Sequence, residues 1–162
     1  MTVFTTIPSP VGELIVAGEV RGHGVALSSL SIAGGGKAVV PQPEWIRDDI
    51  AFAPVVDQLN GYFAGECTRF ELEYAVRGTE FRSRVWAALD EIPYGDTVTY
   101  GEITARIGAS RAAVRAVGSA IGANPLLIVR PCHRVVGADG GLTGYAGGID
   151  LKRRLLELEQ AD

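Results

Sequence analysis

Leu126-Leu127-Ile128-Val129-Arg130-Pro131-Cys132-His133-Arg134-Val135 is the stretch around which the chain is organised. Its first four residues form an unbroken apolar run, which reads as a buried strand. The run passes through Arg130 into a proline, a thiol and an imidazole. Proline restricts its own φ and biases the residue before it toward extended geometry. The backbone that delivers Cys132 should therefore be stiff. A thiol attacks as its thiolate, and an imidazole can take the proton. In a regular strand Cys132 and His133 would point to opposite faces. Cooperation between them requires a bend here, or a water between them. The alternative is a buried structural cysteine beside a core histidine.

Upstream lies a pair of helices. Thr99-Tyr100-Gly101-Glu102 has the form of a capping box, with Thr99 as cap and Glu102 reaching back to its amide. Ile103 and Ile107 face inward from this short helix. Gly108-Ala109 turns the chain, and Ser110 caps a second helix. Two short capped helices joined by a glycine turn make a helix-turn-helix candidate. On the second helix Val114, Val117 and Ile121 form the core face. Arg111, Arg115, Gly118 and Gly122 share a face about 100° away. Two glycines inside a helix cost about 1 kcal/mol each. Their presence makes sense if something must approach the backbone closely, as a duplex groove and its phosphates would. Before this pair, Thr79 caps a helix with Phe81, Val85, Trp86 and Leu89 on its buried stripe.

Downstream, Gly137-Ala138-Asp139-Gly140-Gly141 is a turn, and Gly144-Tyr145-Ala146-Gly147-Gly148 is a small-residue loop around one aromatic, suited to a flat group. Asp150 caps the final helix, with Leu151, Leu155 and Leu158 toward the core. Glu159 borders that stripe. A buried carboxylate needs a partner, and His133 is a candidate.

The first half shows no chemistry. Val3–Ile7, Glu13–Ala17 and Val25–Ile32 are β-rich and separated by turns. His23 reads as an exposed turn residue, and Gly34-Gly35-Gly36 as a loop. A helix follows Pro54 and stops at Gly65. Phe70–Val76 alternates as a strand with one wet face. Cys67 is an incidental thiol. The junction falls at Arg77-Gly78, giving an α/β domain over 1–77 and a mainly α domain over 78–162.

Composition narrows the classes. The chain has 162 residues, 47% of them hydrophobic and 21% charged, which is globular rather than disordered. No apolar run is long enough to span a membrane, and the N-terminus lacks the pattern of a signal peptide. The expected location is the cytoplasm, where two cysteines would be reduced thiols. Two cysteines and two histidines without ligand spacing make no metal site. Net charge is −4, but it is unevenly distributed. Residues 1–76 carry four basic and nine acidic side chains, whereas 103–154 carry eight basic and two acidic. This suggests an anion-binding face on the second half.

With these residues in view, the chain resembles the methylated-DNA–protein-cysteine methyltransferases, the O6-alkylguanine-DNA alkyltransferases. Pro131-Cys132-His133-Arg134-Val135 looks like the family signature. Arg115-Ala116-Val117-Gly118, Asn124-Pro125 and Gly144-Tyr145-Ala146-Gly147-Gly148 stand around it at the family's spacing. Two positions depart from the pattern: the turn Gly108–Arg111 is one residue longer, and Arg82 stands where glutamine is usual.

The resemblance implies an N-terminal ribonuclease-H-like α/β domain and a C-terminal helix-turn-helix, winged-helix-like domain. It implies double-stranded DNA with an alkylated guanine as partner, entered from the minor groove with the base flipped out. Cys132 would accept the alkyl group, His133 would take its proton through a water, and Glu159 would orient His133. Tyr100 would donate to the guanine, and Asn124 would brace the turn between the recognition helix and the active-site strand. Arg115 would fill the vacated stack, with Arg111, Ala116, Gly118 and Ser119 also facing DNA. Pro131, Val135, Tyr145 and Ala146 would line the base pocket.

The chemistry this implies is irreversible, single-turnover repair of O6-alkylguanine, with O4-methylthymine as a second candidate lesion. A free thiol near pKa 8.5 is only a few per cent ionised at neutral pH, so the site must help. The thioether product does not hydrolyse, so each molecule should act once. No cofactor, metal or membrane is expected. A monomer is expected, with cooperative clustering on DNA left open. The rival readings are a thiol hydrolase using Cys132, His133 and Glu159, and a non-catalytic lesion sensor, against which Cys132 itself argues.

Overall fold

The computed structural model describes residues 1–22, 24–35 and 38–160. His23 and Gly36 lie outside the described residues. The chain folds as two compact units, Met1–Val76 and Arg77–Asp162.

In the first unit three strands form a meander: β1 (Thr2–Ile7), β2 (Leu14–Arg21) and β3 (Gly24–Ile32). β1–β2 and β2–β3 pair antiparallel. The β2–β3 register shifts between Ala17 and Gly18. A Cβ on Gly18 would lie 2.4 Å from the Ala26 carbonyl oxygen, so only glycine fits this bulge. A two-residue strand absent from the sequence reading, β4 (Ile46–Arg47), adds parallel to β1. Helix α1 (Ala53–Phe63) takes Pro54 in its first turn and buries Val55, Leu59 and Tyr62. Gly65 follows it at φ 77°.

The strand expected over Phe70–Val76 is reduced to β5 (Glu73–Tyr74), parallel to β3. The reason is a side chain. Gln58 donates to the Glu71 carbonyl at 3.1 Å and accepts from the Glu71 amide at 2.8 Å, occupying groups a longer ladder would use. The sheet order is β4-β1-β2-β3-β5.

The second unit is helical. In α2 (Glu80–Asp90) the Thr79 hydroxyl accepts from the Arg82 amide, so the cap forms without glutamine at 82. Val85, Trp86, Ala88 and Leu89 are buried, while Phe81 is only half-buried. A short strand β6 (Val98–Thr99) leads into α3 (Tyr100–Arg106). Thr99 caps α3 by accepting from the Glu102 amide at 3.1 Å. The Glu102 carboxylate meets the Thr99 hydroxyl at 3.3 Å and not its amide, so the box closes on the side chain.

Gly108, at φ 75°, turns the chain. The second helix then opens on a 3₁₀ turn, Arg111–Ala113, before α4 (Val114–Gly122). Ser110 makes no side-chain cap bond, contrary to expectation; the tight turn is closed by the Ala113 amide on the Ser110 carbonyl at 2.9 Å. Trp86 Nε1 donates to the Ala120 carbonyl at 2.9 Å, tying α2 to α4. The final elements are β7 (Val135–Val136), parallel to β6, and α5 (Ile149–Gln160). Asp150 lies inside α5 rather than capping it: the helix begins at Ile149, and the Lys152 amide bonds the Gly148 carbonyl at 3.1 Å. Among the described residues no helix is long and apolar enough to cross a membrane.

Candidate active site

Residues 126–129 are buried as expected but are not a strand. The chain instead doubles back. The Arg130 amide bonds the Leu126 carbonyl at 3.2 Å, and the Val129 amide bonds the Leu127 carbonyl at 2.7 Å. Between them Ile128 sits at φ 69°, costly for a β-branched residue at about 1–3 kcal/mol. A short apolar run cannot by its own pattern distinguish a strand from a buried turn.

Asn124 holds this turn. Its side chain accepts from the Leu126 amide at 3.1 Å and donates to the Leu126 carbonyl at 3.0 Å. The same amide nitrogen lies 3.2 Å from Cys132 Sγ. One buried side chain thus fixes both the turn and the thiol.

Pro131, at φ −80° and ψ 52°, centres a second tight turn in which the Cys132 amide bonds the Arg130 carbonyl at 2.8 Å. Cys132–Arg134 then form one 3₁₀ turn. The bend that cooperation between Cys132 and His133 requires is therefore present.

His133 is wholly buried, and its Nε2 lies 2.6 Å from Glu159 Oε2. Nδ1, also buried, has no hydrogen-bond partner among the described residues. Glu159 is contributed by α5, so the pair spans 26 positions in sequence. The same carboxylate accepts from Arg134 Nε at 2.7 Å and Nη2 at 3.1 Å. Arg134 Nη1 bonds the Ile92 carbonyl at 2.6 Å, and its guanidinium stacks on Tyr94.

The sequence reading did not find Arg134 as Glu159's second partner. Nor did it find Arg130, which bonds Asp90 at 3.2 Å and Asn124 Oδ1 at 3.3 Å and lies over the Trp86 ring. Arg130, Arg134 and Lys152 are all buried, so three of the eight basic residues counted toward a surface face are internal. A signal existed for Lys152. It sits three residues before Leu155 and seven before Glu159, on the edge of the α5 apolar stripe.

Burial dominates the electrostatics. It raises the Cys132 thiol above the ordinary cysteine value, against the opposing effects of the Asn124 hydrogen bond, Lys152 and Arg130. Burial also holds His133 below the ordinary imidazole value, with Glu159 opposing. Both shifts favour the uncharged forms, thiol and imidazole.

The other predicted residues fall into two groups. Pro131 and Val135 are buried beside the cysteine, while Tyr145 and Ala146 are half-buried. The rings of Tyr145 and His133 meet edge-on at 6.4 Å. Tyr100, at the start of α3, accepts from the Thr143 hydroxyl at 3.3 Å. Arg111, Arg115, Ala116 and Ser119 are exposed. A Cβ on Gly118 would meet only the Tyr100 ring, at 3.8 Å, and one on Gly122 would meet nothing within 4 Å. The α4 backbone is therefore open at both glycines. Among the described residues no cluster of His, Cys, Asp or Glu could hold a metal.

A helical unit with a helix-turn-helix and a buried Cys-His-Glu array, preceded by an α/β unit, defines a class. Two family models match it end to end. Residues 2–75 match the ribonuclease-like domain of 6-O-methylguanine DNA methyltransferase, and residues 80–161 match its DNA binding domain. The chain belongs to the 6-O-methylguanine DNA methyltransferase family.

It is 52% identical over 162 residues to the methylated-DNA–protein-cysteine methyltransferase of Mycobacterium tuberculosis, covering 99% of this chain and 94% of that protein. It is 45% identical over 156 residues to the protein of that name from Methanosarcina acetivorans, covering 96% and 97% respectively. The fold matches the crystal structure of Mycobacterium tuberculosis OGT in complex with DNA, with TM-score 0.86 and 51% identity over 98% of this chain and 93% of that one.

Proposed function

We propose that this protein repairs O6-alkylguanine in DNA by transferring the alkyl group irreversibly to Cys132. The observation that carries the proposal is the array itself: a buried thiol held by Asn124, followed by an imidazole whose other nitrogen is held by a buried carboxylate.

Glu159 accepts from His133 Nε2–H and so leaves Nδ1 as the basic nitrogen. His133 Nδ1 takes the thiol proton through a water, and Sγ attacks the alkyl carbon. The carbon–oxygen bond breaks, the electron pair passes to the guanine, and Tyr100 donates a proton to the departing base. The product is a thioether, and the cycle ends. A thiol raised by burial does not ionise ahead of need, so proton removal is coupled to attack.

The exposed Arg111, Arg115, Ala116 and Ser119, with the open backbone at Gly118 and Gly122, form the surface for the minor groove of duplex DNA. Arg115 fills the gap left by the extruded base. Pro131, Val135, Tyr145 and Ala146 wall the base pocket. The protein acts as a monomer and needs no cofactor.

The test is stoichiometry by intact-protein mass after incubation with excess duplex carrying O6-methylguanine. One methyl on Cys132, then no further reaction, is expected. Cys132→Ser should bind the duplex and accept nothing, and Cys67→Ser should behave as wild type. Steady multiple turnover would replace the transferase reading with a hydrolase.

A further inference from the structure

Arg130 follows the apolar run Leu126–Val129 and is buried with it, its side chain 7% exposed. A guanidinium in that place needs specific partners. Helix α2 supplies two of them from one face, four residues apart. The Trp86 ring stands 5.2 Å from the guanidinium carbon, and Asp90 Oδ1 accepts from Nε at 3.2 Å. The third partner is Asn124, whose Oδ1 accepts from Nη1 at 3.3 Å. Both bonds leave one planar group, so the bond to Asp90 aims the nitrogen that reaches Asn124.

Asn124 in turn uses both donors and both lone pairs of its amide. Oδ1 accepts from the Leu126 amide and from Arg130. Nδ2 donates to the Leu126 carbonyl and lies 3.2 Å from Cys132 Sγ. Leu126 by itself settles which way the amide faces. Arg130 adds a positive charge at the oxygen end, opposite the thiol. A cation on a carbonyl oxygen draws electron density across the conjugated amide and strengthens its N–H as a donor. A stronger donor stabilises a thiolate more than a thiol.

We infer that Arg130 is a positioning residue for alkyl transfer: held by Asp90 and Trp86, it acts through the Asn124 amide to stabilise the Cys132 thiolate. The Asn124 bond and Arg130 both lower the thiol against the effect of burial. Lys152 on α5 lowers it too, and His133, paired with Glu159, is the next residue in the chain. Substitutions at Arg130 and Asp90 leave those groups in place. The inference rests on the reading of Cys132 as acceptor. Its test uses no DNA, so the two can fail separately.

The experiment follows thiolate ultraviolet absorbance against pH in a Cys67→Ser background, with Cys132→Ser subtracted to remove tyrosine. Arg130→Met removes the charge and the donor but keeps most of the packing. It leaves Asp90, 39% exposed, to water rather than stranded. The Cys132 ionisation midpoint should rise by about half a pH unit, a threefold loss of thiolate at a given pH. The same substitution in an Asn124→Ala background should have little further effect, because the route to the thiol is gone. A folded Arg130→Met with an unmoved midpoint overturns the inference, and so does an equal rise in both backgrounds.

A second measurement reads the amide itself and covers variants that do not fold. The chain has two asparagines, Asn60 and Asn124, so nitrogen-labelled asparagine gives two side-chain amide signals. Asp90→Asn perturbs a partly exposed residue and weakens the hold on Arg130. It should move the Asn124 signal upfield, toward a weaker donor, and leave the Asn60 signal where it is. An unmoved Asn124 signal overturns the inference equally.

Discussion

Glu159→Gln removes one charge from the driest part of the site. The carboxylate side chain is 1% exposed and receives three donors: His133 Nε2 at 2.6 Å, and Arg134 Nε and Nη2 at 2.7 and 3.1 Å. A glutamine of the same volume offers one carbonyl and turns an NH₂ toward the remaining donors. Arg134, 7% exposed, keeps its charge and loses its counter-ion. Breaking a buried ion pair from one side costs about 3–5 kcal/mol. The lower end applies because one acceptor survives, so about 3 kcal/mol is expected. At roughly 2–4 °C per kcal/mol for a chain of this size, Tm should fall by about 6–12 °C. A domain of ordinary stability survives that loss.

The rate should fall further than the stability. Without its anionic acceptor, His133 loses the hydrogen bond that selects its tautomer, and general-base assistance is worth about 10²–10⁴-fold. Methyl transfer should slow by about 100-fold. Its pH profile should move upward, because a thiol already raised by burial must then ionise unaided. Single-turnover rates from about pH 6 to 9.5, thermal unfolding and duplex affinity form the assay. Affinity should be unchanged, since α4 is untouched. A wild-type rate and pH profile despite a lowered Tm would confine Glu159 to a structural ion pair. An unchanged Tm would refute the burial argument itself.

Arg115→Ala should slow repair in duplex DNA at least tenfold more than attack on free O6-benzylguanine, because only the duplex demands extrusion; equal losses on both substrates would make Arg115 structural. Gly118→Ala has room within the protein, its Cβ reaching only the Tyr100 ring at 3.8 Å. The variant should gain up to about 1 kcal/mol in urea unfolding yet bind duplex more weakly, and unchanged affinity would remove DNA from that face. The last prediction concerns pH. Burial depresses the folded His133 value, so below about pH 6.5 the unfolded chain takes up a proton that the folded chain refuses. Stability should therefore drop as pH falls from 7.5 to 5.5, by up to about 1.4 kcal/mol per unit below 6.5, and His133→Gln should flatten that slope. Urea midpoints at the two pH values decide it; parallel slopes would mean that His133 is not buried neutral.

Local patterns carried much of the architecture. The meander strands, the Thr79 and Thr99 caps and the inward faces of α3 and α4 depend on short-range periodicity and on side chains bonding amides three residues away. The Cys-His signature was equally legible, because Cys132 and His133 are adjacent in sequence. Local pattern misled where a distant or unusual partner decided the backbone. Gln58 shortened the strand before the junction, and Asn124 turned a strand-like apolar run into a buried reversal with Ile128 at φ 69°.

Tertiary structure alone decided which charges face water. In sequence Arg130 and Arg134 are indistinguishable from the exposed Arg111 and Arg115, since charge says nothing about solvation, and only its place at the edge of an apolar stripe marks Lys152. Only folding brings Asp90, Glu159 and the Thr143 carbonyl to them across 40, 25 and 9 residues. Those pairings make it possible to bury three cations in the second unit, where Lys152 and Arg130 oppose, without overcoming, the burial that raises the Cys132 thiol.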